Sequence, residues 1–299
     1  MMIQTENLHK RYTRHEALRG LNLSVSEGSV YALIGPNGAG KTTTIKLLMN
    51  IITPSGGTAM ILGEDTRRIS PKQLAQIGYV SENQKMPGYM SVSDYIAYLR
   101  PFYPTWDRAL ETEILAQLRL PPDRKIGHLS HGMRMKMALA CALPFRPKLL
   151  ILDEPFSGMD PLARDEFIEG LLRQAGEMTI FVSSHELSEI ESFATEVGFL
   201  DDGKMLFQES LDDLNARLRG VRIILDREAV VPRQAPTNWL DLKVAGNVLS
   251  FVDTQFAEDH LNAHITALFA GVQRIETQPL ALRAMFTALA RATRDGRNV

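Results

Sequence analysis

The sequence predicts an α/β protein centred on a parallel sheet, and three stretches carry that expectation. Val30 to Ile34 is a short apolar run, followed by Gly35-Pro36-Asn37-Gly38-Ala39-Gly40-Lys41-Thr42 and then by a segment with Ile45, Leu48 and Met49 at helical spacing. Leu149-Leu150-Ile151-Leu152-Asp153-Glu154 reads as a strand buried on both faces, with two acids at the carboxyl end where such sheets meet ligands. Thr179-Ile180-Phe181-Val182-Ser183-Ser184-His185 repeats the pattern and ends in a histidine.

The first stretch fills every fixed position of G-x-x-x-x-G-K-[ST] and lies between strand and helix, the context that gives the pattern a mechanism. Glycines let successive backbone N–H groups converge, and the helix N-terminus adds partial positive charge, so polyphosphate is the ligand that fits. Gly35, Pro36, Asn37, Gly38, Ala39, Gly40, Lys41, Thr42 and Thr43 are therefore the candidate nucleotide-binding residues. Lys41 is expected at the β- and γ-phosphates, and the Thr42 hydroxyl at an accompanying Mg²⁺. Asp153 suits the same metal shell, and Glu154 can take a proton from attacking water. His185, at the end of the third apolar strand, is placed to contact the γ-phosphate.

Composition bounds the rest. At 299 residues the chain is long enough for one large domain, or a large one with a small one. A hydrophobic fraction of 44%, a charged fraction of 23% and a net charge of -2 describe an ordinary globular chain with no general attraction to nucleic acid. Cys141 is the single cysteine, which excludes an internal disulfide and a cysteine zinc site and suits a reducing cytoplasm. No run of about 18 apolar residues and no signal-peptide pattern is present, so a membrane role is expected only through a partner.

In chain order, Met2 to Leu8 and Leu21 to Val25 alternate loosely and predict a small antiparallel sheet. Tyr12, in the polar stretch between them, offers either a flat face to an adenine or simply a strand-end surface side chain. Thr58 to Leu62 and Ile77 to Ser81 predict strands, the second leading into Glu82-Asn83-Gln84. Val92 to Pro144 reads as helix-rich, broken by Pro101-Phe102-Tyr103-Pro104-Thr105-Trp106-Asp107, whose aromatics suit packing beneath a connector or a docking surface. Pro121 and Pro122 are expected to end the following helix.

Together these segments resemble the ATP-binding subunit of an ABC transporter over residues 2 to about 215. The likeness rests on an ordered set: the Gly35 to Thr42 loop, Leu129-Ser130-His131-Gly132-Met133, the Leu149 to Glu154 strand, Ser157-Gly158-Met159-Asp160, and His185. It implies a P-loop NTPase of ABC type with an antiparallel β subdomain and a helical subdomain at about 85–147. By resemblance Tyr12 is the adenine-stacking aromatic, Glu154 the general base, His185 the switch histidine and Asp160 part of a loop coupling two sites. Ser130 and the Gly132 N–H, at a helix N-terminus, form an anion site that in this family closes on ATP held by an opposite subunit. The implied partners are a transmembrane permease and a second copy or related subunit, with no nucleic acid; the implied location is cytoplasmic, on the inner face of the membrane.

Two departures from the family pattern stand out. His131 and Met133 replace the usual glycine and glutamine of the signature; a larger third residue can face solvent, but methionine cannot donate an amide hydrogen bond. Glu82 ends the strand that normally ends in a metal-contacting glutamine, and Gln84 lies two residues on. Residues 216–299 carry no motif. Val221 to Leu225 and Val248 to Val252 predict strands, while Leu261, Ile265, Leu268 and Phe269, and then Leu282, Met285, Phe286 and Leu289, mark helix faces. This α+β unit resembles C-terminal extensions of ABC-2 type export ATPases. Its apolar faces suit its own core, a second copy or a regulator, and Arg291, Arg294 and Arg297 make a basic end. The competing readings are a soluble ABC-type ATPase acting on ribosome or DNA, and an ATP-gated regulatory subunit.

Overall fold

A computed structural model describes residues 1–232 and 235–294. It divides the chain into two compact units, Met1–Gln208 and Glu209–Val299.

The first unit contains β1 (Ile3–Tyr12), β2 (His15–Val25), β3 (Val30–Ile34), α1 (Lys41–Leu48), β4 (Gly56–Ile61), β5 (Glu64–Asp65), α2 (Pro71–Leu74) and β6 (Ile77–Ser81). There follow α3 (Val92–Leu99), α4 (Arg108–Gln117), α5 (His131–Ala142), β7 (Leu149–Asp153), α6 (Pro161–Ala175), β8 (Thr179–Ser184), β9 (Glu196–Asp201) and β10 (Lys204–Ser210). The central sheet has the order β10-β9-β3-β8-β7-β6, and its β9/β3, β3/β8, β8/β7 and β7/β6 pairs are parallel. Register aligns Ile34 with Ser184, and Asp153 with both Ser183 and Ser81. Five strands therefore deliver their carboxyl ends, and the loops that follow them, to one edge.

Every residue of β3, β7 and β8 is buried, as their unbroken apolar runs require. Tyr31 stacks on Phe181 with ring centroids 5.6 Å apart, and burying an apolar side chain such as Phe181 contributes about 1.5–3 kcal/mol. A second, antiparallel sheet of order β2-β1-β4-β5 packs its apolar residues Ile3, Leu8, Leu21, Leu23 and Ile61 into the same core. Its first hairpin is longer than the alternation alone implied, because pairing continues to Tyr12 opposite His15.

The helix-rich stretch forms α3, α4 and α5. Tyr103 stacks on Phe145 at 4.0 Å and the Trp106 indole donates to Glu111 at 2.8 Å, so these two aromatics pack under the connector, whereas Phe102 stays 61% exposed. Asp107 caps α4 by accepting from the N–H groups of Ala109 and Leu110. This helix ends at Gln117, ahead of Pro121, and Arg119 takes a left-handed φ of 53°.

The second unit holds α7 (Leu211–Arg217), β11 (Arg219–Leu225), β12 (Trp239–Ala245), β13 (Val248–Asp253), α8 (Glu258–Leu268), β14 (Val272–Gln278) and α9 (Leu282–Arg294). Its antiparallel sheet, ordered β12-β13-β11-β14, and α8 enclose Val221, Ile223, Trp239, Leu249, Phe251, Leu261 and Ile265. Trp239 stacks on Phe251 at 4.0 Å. The sequence reading does not include β12 or β14: β14 is half-buried or exposed throughout without clean alternation, whereas β12 carries the alternation Leu240-Asp241-Leu242-Lys243-Val244, broken in the fold by a register shift between Leu240 and Lys243. Leu282, Met285, Phe286 and Leu289 of α9 are buried; Arg291 pairs with Asp241 at 3.1 Å, and Arg297 lies outside the described residues.

Candidate functional site

The loop after β3 turns directly into α1, and two of its glycines are required by space. A Cβ on Gly35 would fall 2.1 Å from the Leu200 carbonyl oxygen. Gly40 has φ 113°, and its Cβ would meet the Ala17 oxygen and a Leu18 methyl at 2.7 Å. Gly40 is also the N-cap of α1 and supplies no side-chain cap, so the first-turn N–H groups remain available to an anion. Their opening is a cavity of about 310 Å³ walled by Tyr12, His15, Ala17, Asn37 to Thr43 and Glu154. Tyr12 is 43% exposed on that wall and carries the Lys10 ammonium 5.2 Å above its ring, so the hairpin brings it to the cavity instead of leaving it on an unrelated surface. His15 and Ala17 are wall residues that no motif marked; only the β1/β2 pairing reveals them.

Lys41 is 5% exposed and donates to the carbonyls of Gly35 at 2.7 Å and Pro36 at 3.3 Å, while its ammonium pairs with Glu154 at 3.0 Å. The other Glu154 oxygen accepts from His185 Nδ1 at 2.8 Å. Glu154 thus joins the phosphate-loop lysine to the strand-end histidine. It sits at φ 51°, a left-handed conformation held by its N–H donating to the Ser183 hydroxyl at 3.0 Å and carbonyl at 3.2 Å. The hydrogen bond to Glu154 raises the His185 pKa above its ordinary value, with burial opposing and the charges of Glu154 and Glu189 adding.

Asp153 is buried and accepts from Thr42 Oγ1 at 3.0 Å and Ser183 Oγ at 2.9 Å. Burial pushes its carboxyl above the usual range, against those hydrogen bonds; a cation here would reverse that preference. Thr42 and Asp153 form an all-oxygen pair of the kind Mg²⁺ takes, with phosphate and water completing the shell. Among the described residues no three His, Cys, Asp or Glu side chains converge on a metal position, so the chain offers part of a shell and not a cage. Glu82 gives its N–H to the Asp153 carbonyl at 3.2 Å with its side chain exposed, and Gln84 Oε1 is buried without a hydrogen-bond partner. Ser183 went unremarked in the sequence because its role, bracing both Asp153 and Glu154, depends on the β7/β8 register.

Ser130, Gly132 and Asp160 are absent from the cavity wall. Ser130 caps α5 through the Met133 N–H at 3.2 Å, and Asp160 caps α6 through the Ala163 N–H at 2.9 Å. The two helix starts lie together: a Cβ on Gly132 would reach Ala163 at 3.0 Å. His131, for which the sequence left a solvent-facing position open, is half-buried, with Nε2 2.8 Å from the Ser157 carbonyl. Met133 receives the Arg124 guanidinium on its sulfur at 3.9 Å.

The ABC transporter family model matches residues 18–157. The bacitracin transport ATP-binding protein BcrA of Bacillus licheniformis is 34% identical over 226 residues, covering 73% of this chain and 72% of the relative. The chain belongs to the ABC transporter ATP-binding family. Another similar member is the daunorubicin resistance ATP-binding protein DrrA2 of Streptomyces coeruleorubidus, 33% identical over 242 residues, 77% of this chain and 74% of that one. The solved structure of an ATP-binding subunit of an ABC transporter superposes with a TM-score of 0.65 at 28% identity, covering 72% of this chain and 92% of that one. The ABC ATPase fold and ATP binding follow. Among the described residues no helix is long and apolar enough to cross a membrane.

Proposed function

We propose that this ABC ATPase hydrolyses Mg²⁺-ATP as a pair of subunits beneath a separate transmembrane permease, and that the coupled process is export. The observation that carries the hydrolytic part is Glu154 held between Lys41 and His185 beside the Thr42–Asp153 pair. Tyr12 stacks on the adenine, and residues Gly35 to Thr43 cradle the phosphates. Thr42 and Asp153 hold Mg²⁺ with Glu82 or Gln84, and the ion neutralises charge on the phosphates when bound.

A γ-phosphate, with more negative charge than a carboxylate, takes the Lys41 ammonium away from Glu154. The freed carboxylate accepts a proton from water as the water oxygen bonds to the γ-phosphorus and the bond to the β–γ bridging oxygen breaks, leaving ADP and phosphate. His185 remains on the second Glu154 oxygen and orients it. Ser130 and Gly132 of one copy close on the γ-phosphate of the other, with Asp160 in the adjoining loop. This reading is supported by the two helix starts lying together, Ser130 capping α5 and Asp160 capping α6.

The permease reading draws on exposed aromatics of the helical segment, Tyr89 at 78%, Tyr98 at 57% and Phe102 at 61%. Phe102 also edges an apolar groove of about 590 Å³ with Pro104 and Phe145. Export is inferred from the bacitracin and daunorubicin relatives and the second unit, and places the subunit on the cytoplasmic face. The 1–215 segment is the ATP-binding domain in this reading and 216–299 an accessory domain.

The test is purification from gently solubilised membranes with ATP present, followed by identification of stoichiometric partners. A multi-span membrane protein is expected; ribosomal proteins or DNA in its place would move the function to a soluble ABC ATPase.

A further inference from the structure

His131 opens α5 and is the signature residue whose size departs most from the family pattern. Its ring turns toward the loop between β7 and α6, where Nε2 lies 2.8 Å from the Ser157 carbonyl. A carbonyl only accepts, so Nε2 carries the proton and donates. The loop residue it holds is three positions from Glu154 and is tied to it: the Ser157 N–H donates to the Glu154 carbonyl at 3.3 Å. On the other side, Met159 N–H donates to the Phe156 carbonyl at 3.0 Å, and Asp160 begins α6.

Between Ser157 and Met159, Gly158 takes φ 67°, and the position of its missing Cβ is 3.8 Å from the His131 ring. The ring therefore lies against a turn that has no side chain of its own to fix it. A glycine at position 131 would leave that carbonyl and that turn without this partner.

We propose that His131 is a positioning residue that ties the start of α5 to the Ser157–Asp160 loop and thereby links the Ser130–Gly132 anion site of a subunit to that subunit's own Glu154. The path consists of the imidazole on the Ser157 carbonyl, the Ser157 N–H on the Glu154 carbonyl, and the Glu154 carboxylate between Lys41 and His185. Displacement of α5 when the anion site is filled pulls on the backbone that sets the base. Its catalytic consequence rests on the dimeric ATPase reading above; the local tie does not.

The variants His131→Phe, which keeps a ring without a donor, and His131→Gln, which keeps an N–H at similar reach, separate hydrogen bonding from bulk. The first readout is amide hydrogen exchange in the nucleotide-free chain across residues 156–160. His131→Phe is expected to speed exchange there by about 3–10-fold, the range of one lost hydrogen bond, while His131→Gln stays within about 2-fold of wild type. Unchanged exchange in His131→Phe overturns the tie, and so does equal loss in both variants, since bulk would then be the cause.

The second readout is steady-state ATP hydrolysis. In His131→Phe, kcat is expected to fall about 3–10-fold with KM unchanged, and His131→Gln to restore it. A rise in KM with unchanged kcat overturns the link to Glu154. Wild-type protein without hydrolysis or ATP-driven pairing would instead sink the proposed function, leaving the exchange result to decide the tie.

Discussion

The two helix N-termini proposed above as anion sites are finished differently in this molecule. At α1 the cap is Gly40, without a side chain, and the ends of three strands surround the first turn with Lys41, Asp153, Glu154 and His185. At α5 the cap is Ser130, exposed, with its hydroxyl already engaged by the Met133 N–H. The first site has a cavity and counter-charges of its own; the second presents an exposed Ser130 at a helix end beside another, α6. A complete anion site has to remove its ligand from water and supply cations, which α1 does within one chain. The start of α5 supplies dipole and N–H groups at an exposed Ser130, and the proposed mechanism gives it to a second subunit.

The substitution with the largest expected effect is Glu154→Gln, which tests the α1 side of this contrast by removing the base but not the phosphate seat. Phosphate release should fall by about 10²–10⁴ while ATP still binds, and sedimentation should show an ATP-stabilised pair. Wild-type turnover would take Glu154 out of the role. Next, Lys41→Ala removes a buried cation that ATP would engage through charge-assisted hydrogen bonds. Nucleotide titration should show affinity reduced by about 10²-fold; an unaltered isotherm would be incompatible with the phosphate-loop assignment.

Ser130→Ala addresses the other terminus. Loss of the cap should cost about 1 kcal/mol in denaturant unfolding, and ATP-driven pairing should weaken while single-subunit ATP affinity holds. If instead the affinity of the isolated subunit fell, the two termini would belong to one site and the contrast would collapse.

The smallest effect is in protonation. The His185 pKa is raised above 6.5, chiefly by its hydrogen bond to Glu154. The stability this partner contributes is therefore fully present below pH 6.5 and lost as pH rises through the higher folded value. An imidazole NMR titration should give a midpoint above 6.5 in wild type, moving down in Glu154→Gln. A midpoint insensitive to that substitution would deny the contact.

The two units also differ in how far sequence reveals them. In the first, the buried strands of a parallel sheet must be apolar throughout, so β3, β7 and β8 stand out as runs, and their last residues fall at the ligand edge. In the second, β14 is an outer strand of an antiparallel sheet whose exposed face tolerates any polar residue, and it leaves little periodic trace, while the other outer strand, β12, alternates only over the short run Leu240 to Val244. Ser183 acts through pairing with β7, far along the chain; His15 pairs locally with Tyr12 but meets the Asn37–Thr43 wall only in the fold, and His131 acts through a carbonyl that carries no side-chain signal. None of these has a local pattern to read.

By itself the sequence determined the phosphate loop, the strand-end acids and the histidine, because glycine spacing, a lysine and apolar runs are local requirements of backbone geometry and burial. Only the tertiary structure decided that Glu154 lies between Lys41 and His185, that Tyr12 joins the cavity wall, and that His131 turns inward to Ser157. Those facts depend on strand order and register in two sheets, on the left-handed turn at Glu154 and on where α5 packs, which arise when distant segments come together.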